Sequence, residues 1–487
     1  MNSADEVKEH IKEEKNNDGE LAVRSGFWYV ISNVLIRAMG IITAPIYTRL
    51  LTTAETGYAN NFNNYVSIFS VVTGLCLIYS VGRAKLDFKD RFDEFMSSIQ
   101  TLSSAFGLII LIFIMALFPA DGMMLKFPRI VIFILFAYLA LYPSIDYMQY
   151  KYRFEYKYRE NITISVILTV TTIIMTVLLL LYAPGDKGFL KIIGTVVPGG
   201  AIALWCYVNL LKKGKTFYNR EFWSYALKIG LPMIPHGLAL ILLSRIDVSM
   251  ISNIYGFSEV GLYTSGYTIG TLLMFITNAV GQAWLPYFNE HLYASEEEDI
   301  REKNKILMFY GCVLTIMFIA MAPLAVKILF AKSYYEAMWV VPPVALGTLC
   351  QYFYTNYVNL ELFYKKTVLI AANSCIAAVI NIGLNAYFIP RFGYISAAYT
   401  TLAGYFILMI LHFLTVRFIL KKKLYADGFY FFILMVTCIL GILTTFLYPL
   451  PVIRYPLLFM LLVILAIVRK DDTIMVIDII KKKMGRI

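Results

Sequence analysis

Charge is scarce in this chain of 487 residues: 15% of it is Asp, Glu, Lys or Arg, where soluble domains carry about 25%. A soluble chain of this length would divide into about three domains, each with a polar cover, and there is too little charge to supply them. The six cysteines, Cys76, Cys206, Cys312, Cys350, Cys375 and Cys438, lie scattered inside apolar segments without a C-x-x-C spacing, which excludes a zinc site or disulfide framework as a reading. Gly-rich phosphate loops, H-E-x-x-H and G-x-S-x-G are missing, so no metal and no cofactor is expected. Connections between apolar runs stay under about 20 residues, which leaves no polar domain for nucleic acid or for an outer catalytic site. Asp87, Asp90 and Asp93 alternate with Lys89 and Arg91 and read as a charged turn at a membrane surface rather than a metal site.

What is abundant is apolar length. Hydrophobic residues make up 59% of the chain, and at ~20 residues per crossing this accommodates about fourteen spans. They are expected near 25–46, 57–82, 97–118, 127–149, 160–184, 190–211, 222–246, 259–288, 305–330, 336–363, 367–389, 394–416, 427–447 and 452–468. The six even-numbered connections hold 21 Lys and Arg and the seven odd-numbered ones hold 8. Positive loops stay inside, so both termini are expected in the cytoplasm. The formal charge of +11 is therefore mostly orientation, not a nucleic-acid footprint. The first 24 residues are a polar Lys/Glu-rich tail with no cleavable signal peptide.

A shift of 204 residues lays Gly26 on Gly230, Glu55 on Glu259 and Gly57 on Gly261. A six-helix offset keeps every span's direction, which predicts two parallel lobes about an axis along the membrane normal. The expected class is an all-α polytopic membrane protein: two six-helix lobes around a central cavity plus two C-terminal helices. The segments are a cytoplasmic tail (1–24), an N-lobe (25–211), a C-lobe (222–416), spans 13 and 14 (427–468), and a basic tail (469–487).

Four cations, Arg37, Lys228, Arg245 and Lys327, are assigned to spans, and depth sorts them. Lys228, Arg245 and Lys327 lie near helix ends, where they can snorkel. Arg37 is about ten residues into a span of 1.5 Å per residue, near the midplane, and needs a watery cavity or a partner. Polar stripes at helical spacing accompany it: Gly26, Asn33, Arg37, Gly40 and Ala44; Asn60, Asn64, Ser67 and Gly74; Thr348, Gln351, Thr355 and Asn359; Ser374, Asn381 and Asn385. Each stripe reads either as helix–helix contact or as the wall of a hydrophilic chamber. Pro232 and Pro235, bracketed by Gly230 and Gly237, break span 7. His236 in the same turn is a candidate proton site, and Arg245 and Asp247, two apart, do not face each other on a straight helix.

These residues carry a resemblance. Leu231-Pro232-x-x-Pro235, Arg245-Ile246-Asp247 and Tyr255-Gly256-x-x-Glu259-x-Gly261-x-Tyr263 resemble the second-lobe signature of Wzx-type oligosaccharide flippases. These form the polysaccharide-transport branch of the multidrug/oligosaccharidyl-lipid/polysaccharide exporter superfamily. Arg49-Leu50-Leu51 through Glu55-x-Gly57-Tyr58-Ala59 is similar to the first-lobe counterpart, and Gly393 to Ala398 to span 12. The resemblance implies an undecaprenyl-diphosphate oligosaccharide turned from the cytoplasmic to the outer leaflet of a bacterial cytoplasmic membrane by alternating access. Arg37 and Arg245 would meet the diphosphate, and Asn33, Asn64, Gln351, Asn359 and Asn381 the sugars. His236, Asp247, Pro232 and Pro235 would serve coupling and bending, with a proton or sodium gradient as the energy source. Implied partners are membrane lipids, the lipid-linked cargo and polysaccharide polymerase machinery. A cation-coupled multidrug exporter is the alternative from the same superfamily. It calls for a mid-depth acid, whereas Asp146 and Glu361 lie near cytoplasmic ends and Glu361 can meet Lys365 at i+4. A membrane glycosyltransferase or polymerase is the alternative of another class, weakened by the short outer loops.

Overall fold

The computed structural model describes residues 39–468 apart from 41, 120, 121 and 156. Asn33, Arg37 and both expected tails thus lie outside the described residues. Two compact units divide the chain, residues 1–261 and 262–487.

The first unit contains α1 (Thr53–Thr73), α2 (Val81–Asp87), α3 (Phe92–Leu117), α4 (Arg129–Leu141), α5 (Pro143–Phe154), α6 (Tyr158–Tyr182), α7 (Lys187–Gly214), α8 (Arg220–Gly230) and α9 (Ile234–Ile254). Between α3 and α4 a two-residue hairpin pairs β1 (Met123–Met124) with β2 (Phe127–Pro128) in antiparallel register. Its loop residues Leu125 and Lys126 both take positive φ, 56° and 65°, the backbone a tight hairpin of right-handed twist requires. α10 (Phe257–Gly270) begins in the first unit and continues into the second. There α11 (Leu273–Tyr293), α12 (Glu297–Leu329), α13 (Val341–Phe363), α14 (Thr367–Phe392), α15 (Ser396–Leu414), α16 (Asp427–Phe446) and α17 (Pro451–Val468) follow.

Every expected span from the second to the fourteenth has a helical counterpart. Among the described residues, nine helices are long and apolar enough to cross a membrane. Two more spans are bent pairs: Thr53–Thr73 with Leu77–Asp87 by 54°, and Arg220–Ala239 with Ile241–Ile254 by 51°. α17 has a shorter apolar stretch, Pro451–Met460. α13 is long without being comparably apolar, because it carries Gln351, Thr355, Asn356, Asn359 and Glu361. It is also the helix that the second unit is built around, with every residue from Val341 to Cys350 buried. Outward faces such as Leu108, Ile109, Ile112 and Phe113 on α3 are exposed and wholly apolar, as contact with lipid tails demands. This is a multi-pass membrane protein.

Within the first unit, which extends to residue 261, α1 and the start of α10 make a close contact. A Cβ on Gly57 would fall on the carbonyl oxygen of Phe257 and 2.7 Å from the Gly261 nitrogen, while one on Gly261 would fall on the Thr53 carbonyl. The two glycines that the 204-residue shift superimposes therefore press their backbones together, a small-residue contact of the kind that joins helices in lipid. Thr53 and Ser258 hydroxyls share a hydrogen bond of 2.8 Å beside it, and Tyr58 packs edge-on against both Phe127 and Phe257, at 4.8 and 5.0 Å. Glu55 of the same motif caps α1. Its carboxylate accepts from the Thr52 backbone at 2.7 Å, and the Thr52 hydroxyl accepts from Glu55 N at 3.2 Å, a reciprocal capping box.

In the second unit a buried polar chain ties α12, α13 and α16. Asn304 donates to Asn356 Oδ1 at 2.9 Å, and Tyr430 donates its hydroxyl to Asn304 Oδ1. Tyr425 donates to the Asn356 carbonyl and Tyr357 to Asp427, both at 2.9 Å. The thirteenth span is thereby docked, with Phe432, Met435, Ile439, Ile442 and Phe446 left on its open face.

The glycine contact yields a prediction. Gly57→Val leaves no position for the side chain that avoids the Phe257 carbonyl, and overpacking of this type costs about 1–3 kcal/mol. Purified G57V is expected to melt several degrees below the parent, whereas Gly200→Val, where a Cβ meets nothing within 4 Å, is expected to match it. Equal melting of the two variants would refute the contact.

Candidate functional site: two broken helices and a buried polar seam

Both bent spans of the first unit break where they touch. α1 ends at Thr73, and Leu75 and Cys76 follow with φ of 51° each, a left-handed backbone that costs non-glycine residues about 1–2 kcal/mol apiece. Opposite this elbow lies the break foreseen at Pro232 and Pro235. There α8 gives way to a 3-10 turn, Leu231–Met233, before α9 starts with Pro235 in its first turn. Proline lacks the amide proton and blocks the preceding carbonyl, which interrupts the helix here, and the 51° bend of the span follows between Ala239 and Ile241. Gly230 admits the Leu75 carbonyl, 2.6 Å from where its Cβ would be, and Gly237 admits Val71 and Cys76 at 3.3 and 3.4 Å. His236 sits on this bend with Nδ1 enclosed and without a partner among the described residues.

Beyond the bend, α1 and α9 are joined by a polar seam. Asn61 donates to Ser252 Oγ at 3.0 Å and Asn64 to Ser249 Oγ at 2.8 Å. Both asparagines are buried, and neither side-chain carbonyl finds a partner among the described residues. The predicted stripe through Asn60, Asn64 and Ser67 is therefore split. Asn60 turns to α7, where Lys191 donates to its Oδ1 at 3.4 Å, and Ser67 bonds its own helix at Asn63. Asn64 is corrected from a cavity wall to a helix–helix contact.

Arg245 is exposed and Asp247 is 1% exposed, so these neighbours point apart, with Val248 N donating to the Asp247 carboxylate at 2.7 Å. Lys228 and Lys327 are exposed near their helix ends. Lys228 lines a cleft of about 420 Å³ along one face of α8 with Arg220, Trp223, Ser224 and Leu227. The opposite face of α8, Phe222, Ala226 and Gly230, is buried. Phe222 packs on Phe88 and Phe95 at 5.0 and 5.5 Å, under the Arg91 guanidinium. Asp87 accepts from Tyr225 at 2.7 Å and pairs with Arg83, and Asp93 pairs with Lys151.

Lys151 is buried in that pair. Lys157 stays outside the spans, where its hydrogen bond to Glu155, 2.7 Å long, holds the ammonium above the ordinary lysine value. The assignment of only four cations to spans also needs correction. Lys191 lies inside α7, partly buried 5.5 Å from the Tyr47 ring. Arg454 lies inside α17 and is buried, donating to the Tyr448 carbonyl at 3.1 Å and to the Tyr455 hydroxyl at 3.0 Å.

In the second unit Gln351 and Asn359 are partly exposed on α13. Asn381 is fully buried, and it donates to the Thr400 carbonyl at 3.0 Å while accepting from Asn385 at 3.1 Å. Thr400 closes the set by donating to Asn385. With both ends of its amide spent on α14 and α15, Asn381 is helix–helix contact, a correction to its expected place on a sugar-lining wall. Glu361 does not meet Lys365. It is fully buried against His412 of α15, whose Nδ1 lies 2.9 and 3.1 Å from its two oxygens. Local spacing carries no sign of that pair.

Interhelical hydrogen bonds in bilayers average about 0.6 kcal/mol of coupling. A double-mutant cycle of Asn64→Ala and Ser249→Ala, followed by thermal or denaturant unfolding, is expected to return a coupling of that order, and strict additivity would argue against the seam.

Comparison with known proteins is consistent with this architecture. A family model described as polysaccharide biosynthesis protein matches residues 22–292, more than half of the chain and all of both bent spans. An Lsg locus protein of Haemophilus influenzae is 25% identical over 227 residues, 44% of this chain and 55% of that protein. The chain thus spans about half the length of this curated relative. Among solved structures, the lipid II flippase MurJ in an inward closed conformation superposes with a TM-score of 0.69 at 15% identity, over 91% of this chain and 98% of its own. An inward-facing multidrug resistance transporter of the MATE family, in the MOP superfamily, gives 0.56 at 16% identity, over 79% and 93%. A MOP superfamily transporter from Pyrococcus furiosus gives 0.56 at 15%, over 83% and 96%. Identities this low establish a common fold and no more. With its fold shared with MOP-superfamily transporters and the family match running through both bent spans, the chain belongs to the polysaccharide biosynthesis protein family.

Proposed function

We propose that the protein is a flippase that turns an undecaprenyl-diphosphate-linked oligosaccharide from the cytoplasmic to the outer leaflet of a bacterial cytoplasmic membrane for cell-surface polysaccharide assembly. The observation that carries this reading is the family match over residues 22–292. The shared fold with a lipid II flippase favours a lipid-borne cargo by analogy. Neither a catalytic role nor a cofactor enters the reading.

A diphosphate moving through a low-dielectric slab needs a cation on its path. Arg37 is the first candidate, and Arg245, exposed on α9, the second. Sugar hydroxyls need amide partners, and Asn33, Gln351 and Asn359 remain candidates. Asn64 and Asn381 hold protein partners in this conformation and rank behind them. Alternating access needs spans that bend, and two elbows, one at Leu75–Cys76 and one beyond Pro235 where Arg220–Ala239 meets Ile241–Ile254, supply them. His236 near the second elbow and Asp247 further along α9 are the candidates for coupling to a proton or sodium gradient. Membrane lipids and polysaccharide polymerase machinery are the proposed partners.

Cells lacking the protein are expected to accumulate a lipid-linked oligosaccharide on the cytoplasmic face. Unchanged lipid-linked sugars together with heightened drug sensitivity would instead point to a multidrug exporter. In complemented cells, Arg37→Ala is expected to abolish surface polysaccharide and Arg37→Lys to retain part of it, because lysine keeps the charge but not the fork. A fully active alanine variant would overturn the anionic-cargo argument.

A further inference from the structure

The Glu361–His412 pair is used nowhere in that reading. Glu361, two residues from the end of α13, is 0% exposed, and His412, two residues from the end of α15, is 1% exposed. The Tyr354 ring stacks on the imidazole, with centroids 5.5 Å apart and planes 18° apart. From α14, Asn373 places its amide 3.4 Å from His412 Nδ1 and 3.0 Å from Thr415 Oγ1. Three helices thus converge on one carboxyl–imidazole contact. Directly after it α15 loosens into a π turn, Thr415–Ile419, an irregularity that favours functional sites.

The other ionisable groups on the elements packed here are spoken for or turned to the surface. Lys365 and Lys366, between α13 and α14, are exposed. Lys422 lies over the Tyr364 ring, and Asp427 of α16 accepts from Tyr357 at 2.9 Å. On α12, Arg301 donates to the carbonyls of Lys423 and Leu424, and Lys303 meets Asp299 and the Tyr287 hydroxyl. His291 of α11 faces Glu296 and Asp299 at 3.5 and 3.7 Å. Arg417, partly buried on the π turn, acts on Asp427 of α16. The charge of the pair is therefore set by its own protons.

Proton counting gives the consequence. With a carboxylate facing an imidazolium, or a carboxyl facing a neutral imidazole, the pair is neutral overall and hydrogen-bonded. A second proton makes it a carboxyl beside an imidazolium, leaving an uncompensated positive charge in a dry site, which is costly unless the helices part to admit water. We infer that Glu361 and His412 form a proton-operated latch that holds the adjoining ends of α13, α14 and α15 together while the pair is neutral and releases them when it takes up a further proton. This inference goes beyond the flippase reading and does not depend on the cargo.

Hydrogen–deuterium exchange of the purified full chain in detergent, without substrate, tests it. The readout is exchange from pH 8 down to pH 5, corrected for intrinsic amide rates, in peptides covering 354–363, 367–378 and 405–419. The parent is expected to exchange several-fold faster in acid in these peptides. E361Q, which removes the carboxylate that offsets an imidazolium, is expected to release at a higher pH than the parent. E361Q/H412N is expected to show no acid response. Should that double variant not fold, E361M/H412L, an apolar replacement of a buried pair, carries the same test. An acid response that persists in a folded double variant, or a parent without one, would overturn the latch and leave the flippase reading untouched.

Discussion

The first unit depends on two backbones in contact. In lipid, helices gain little from hiding apolar surface, and close approach of main chains supplies the attraction instead. Gly57 and Gly261 provide it by the absence of side chains. Their contact lies next to the Thr53–Ser258 hydrogen bond, about one helical turn from Asn61–Ser252 and two from Asn64–Ser249. A β-carbon at either glycine would separate α1 from the start of α10 and draw the seam apart. The Glu55 cap and the glycine two residues later serve one purpose, to start a helix at a fixed place and let another chain approach it.

From that contact, the path of both helices leads to their elbows. The left-handed residues Leu75 and Cys76 store backbone strain opposite a proline-broken turn, and the glycines at 230 and 237 let the two irregular stretches nest. A straight pair of helices would resist bending along its whole length. Two breaks in register confine bending to one level, which is a mechanical requirement for any carrier that opens alternately to its two sides.

Much of this was legible in the sequence, for physical reasons that also explain what was not. The apolar runs fixed the class because a bilayer demands about 20 apolar residues per crossing. Pro232 and Pro235 announced a break because proline's effect on a helix is local. The Glu55-x-Gly57 and Glu259-x-Gly261 repeat was visible, yet that Gly57 and Gly261 touch was not, because a repeat states equivalence and not proximity. The stripe through Asn60 and Asn64 had the right period and the wrong partner assignment, since Asn60, which meets Lys191, lies about 70° around the helix from the middle of the seam face formed by Asn61 and Asn64. The elbow at Leu75–Cys76 carries no proline. Glu361 and His412 are 51 positions apart, and only the packing of α13 on α15 brings them together. Lys191 and Arg454 were counted with the connections because span edges inferred from hydropathy are uncertain by about 2–4 residues.

The polar character of α13 bears on how the protein is made. Its first ten residues are enclosed on every side, yet with a glutamine, two asparagines and a glutamate along its later turns it falls, among the described residues, short of the apolarity of the neighbouring spans α14 and α15. A segment emerging from the ribosome in that state is poorly placed in the bilayer until α15 brings His412 to Glu361 and Tyr425 reaches Asn356. Insertion of the second half is therefore an assembly step involving several helices at once, and the order of synthesis, α13 ahead of the helices that shelter it, means that it must wait beside the translocation channel for its neighbours.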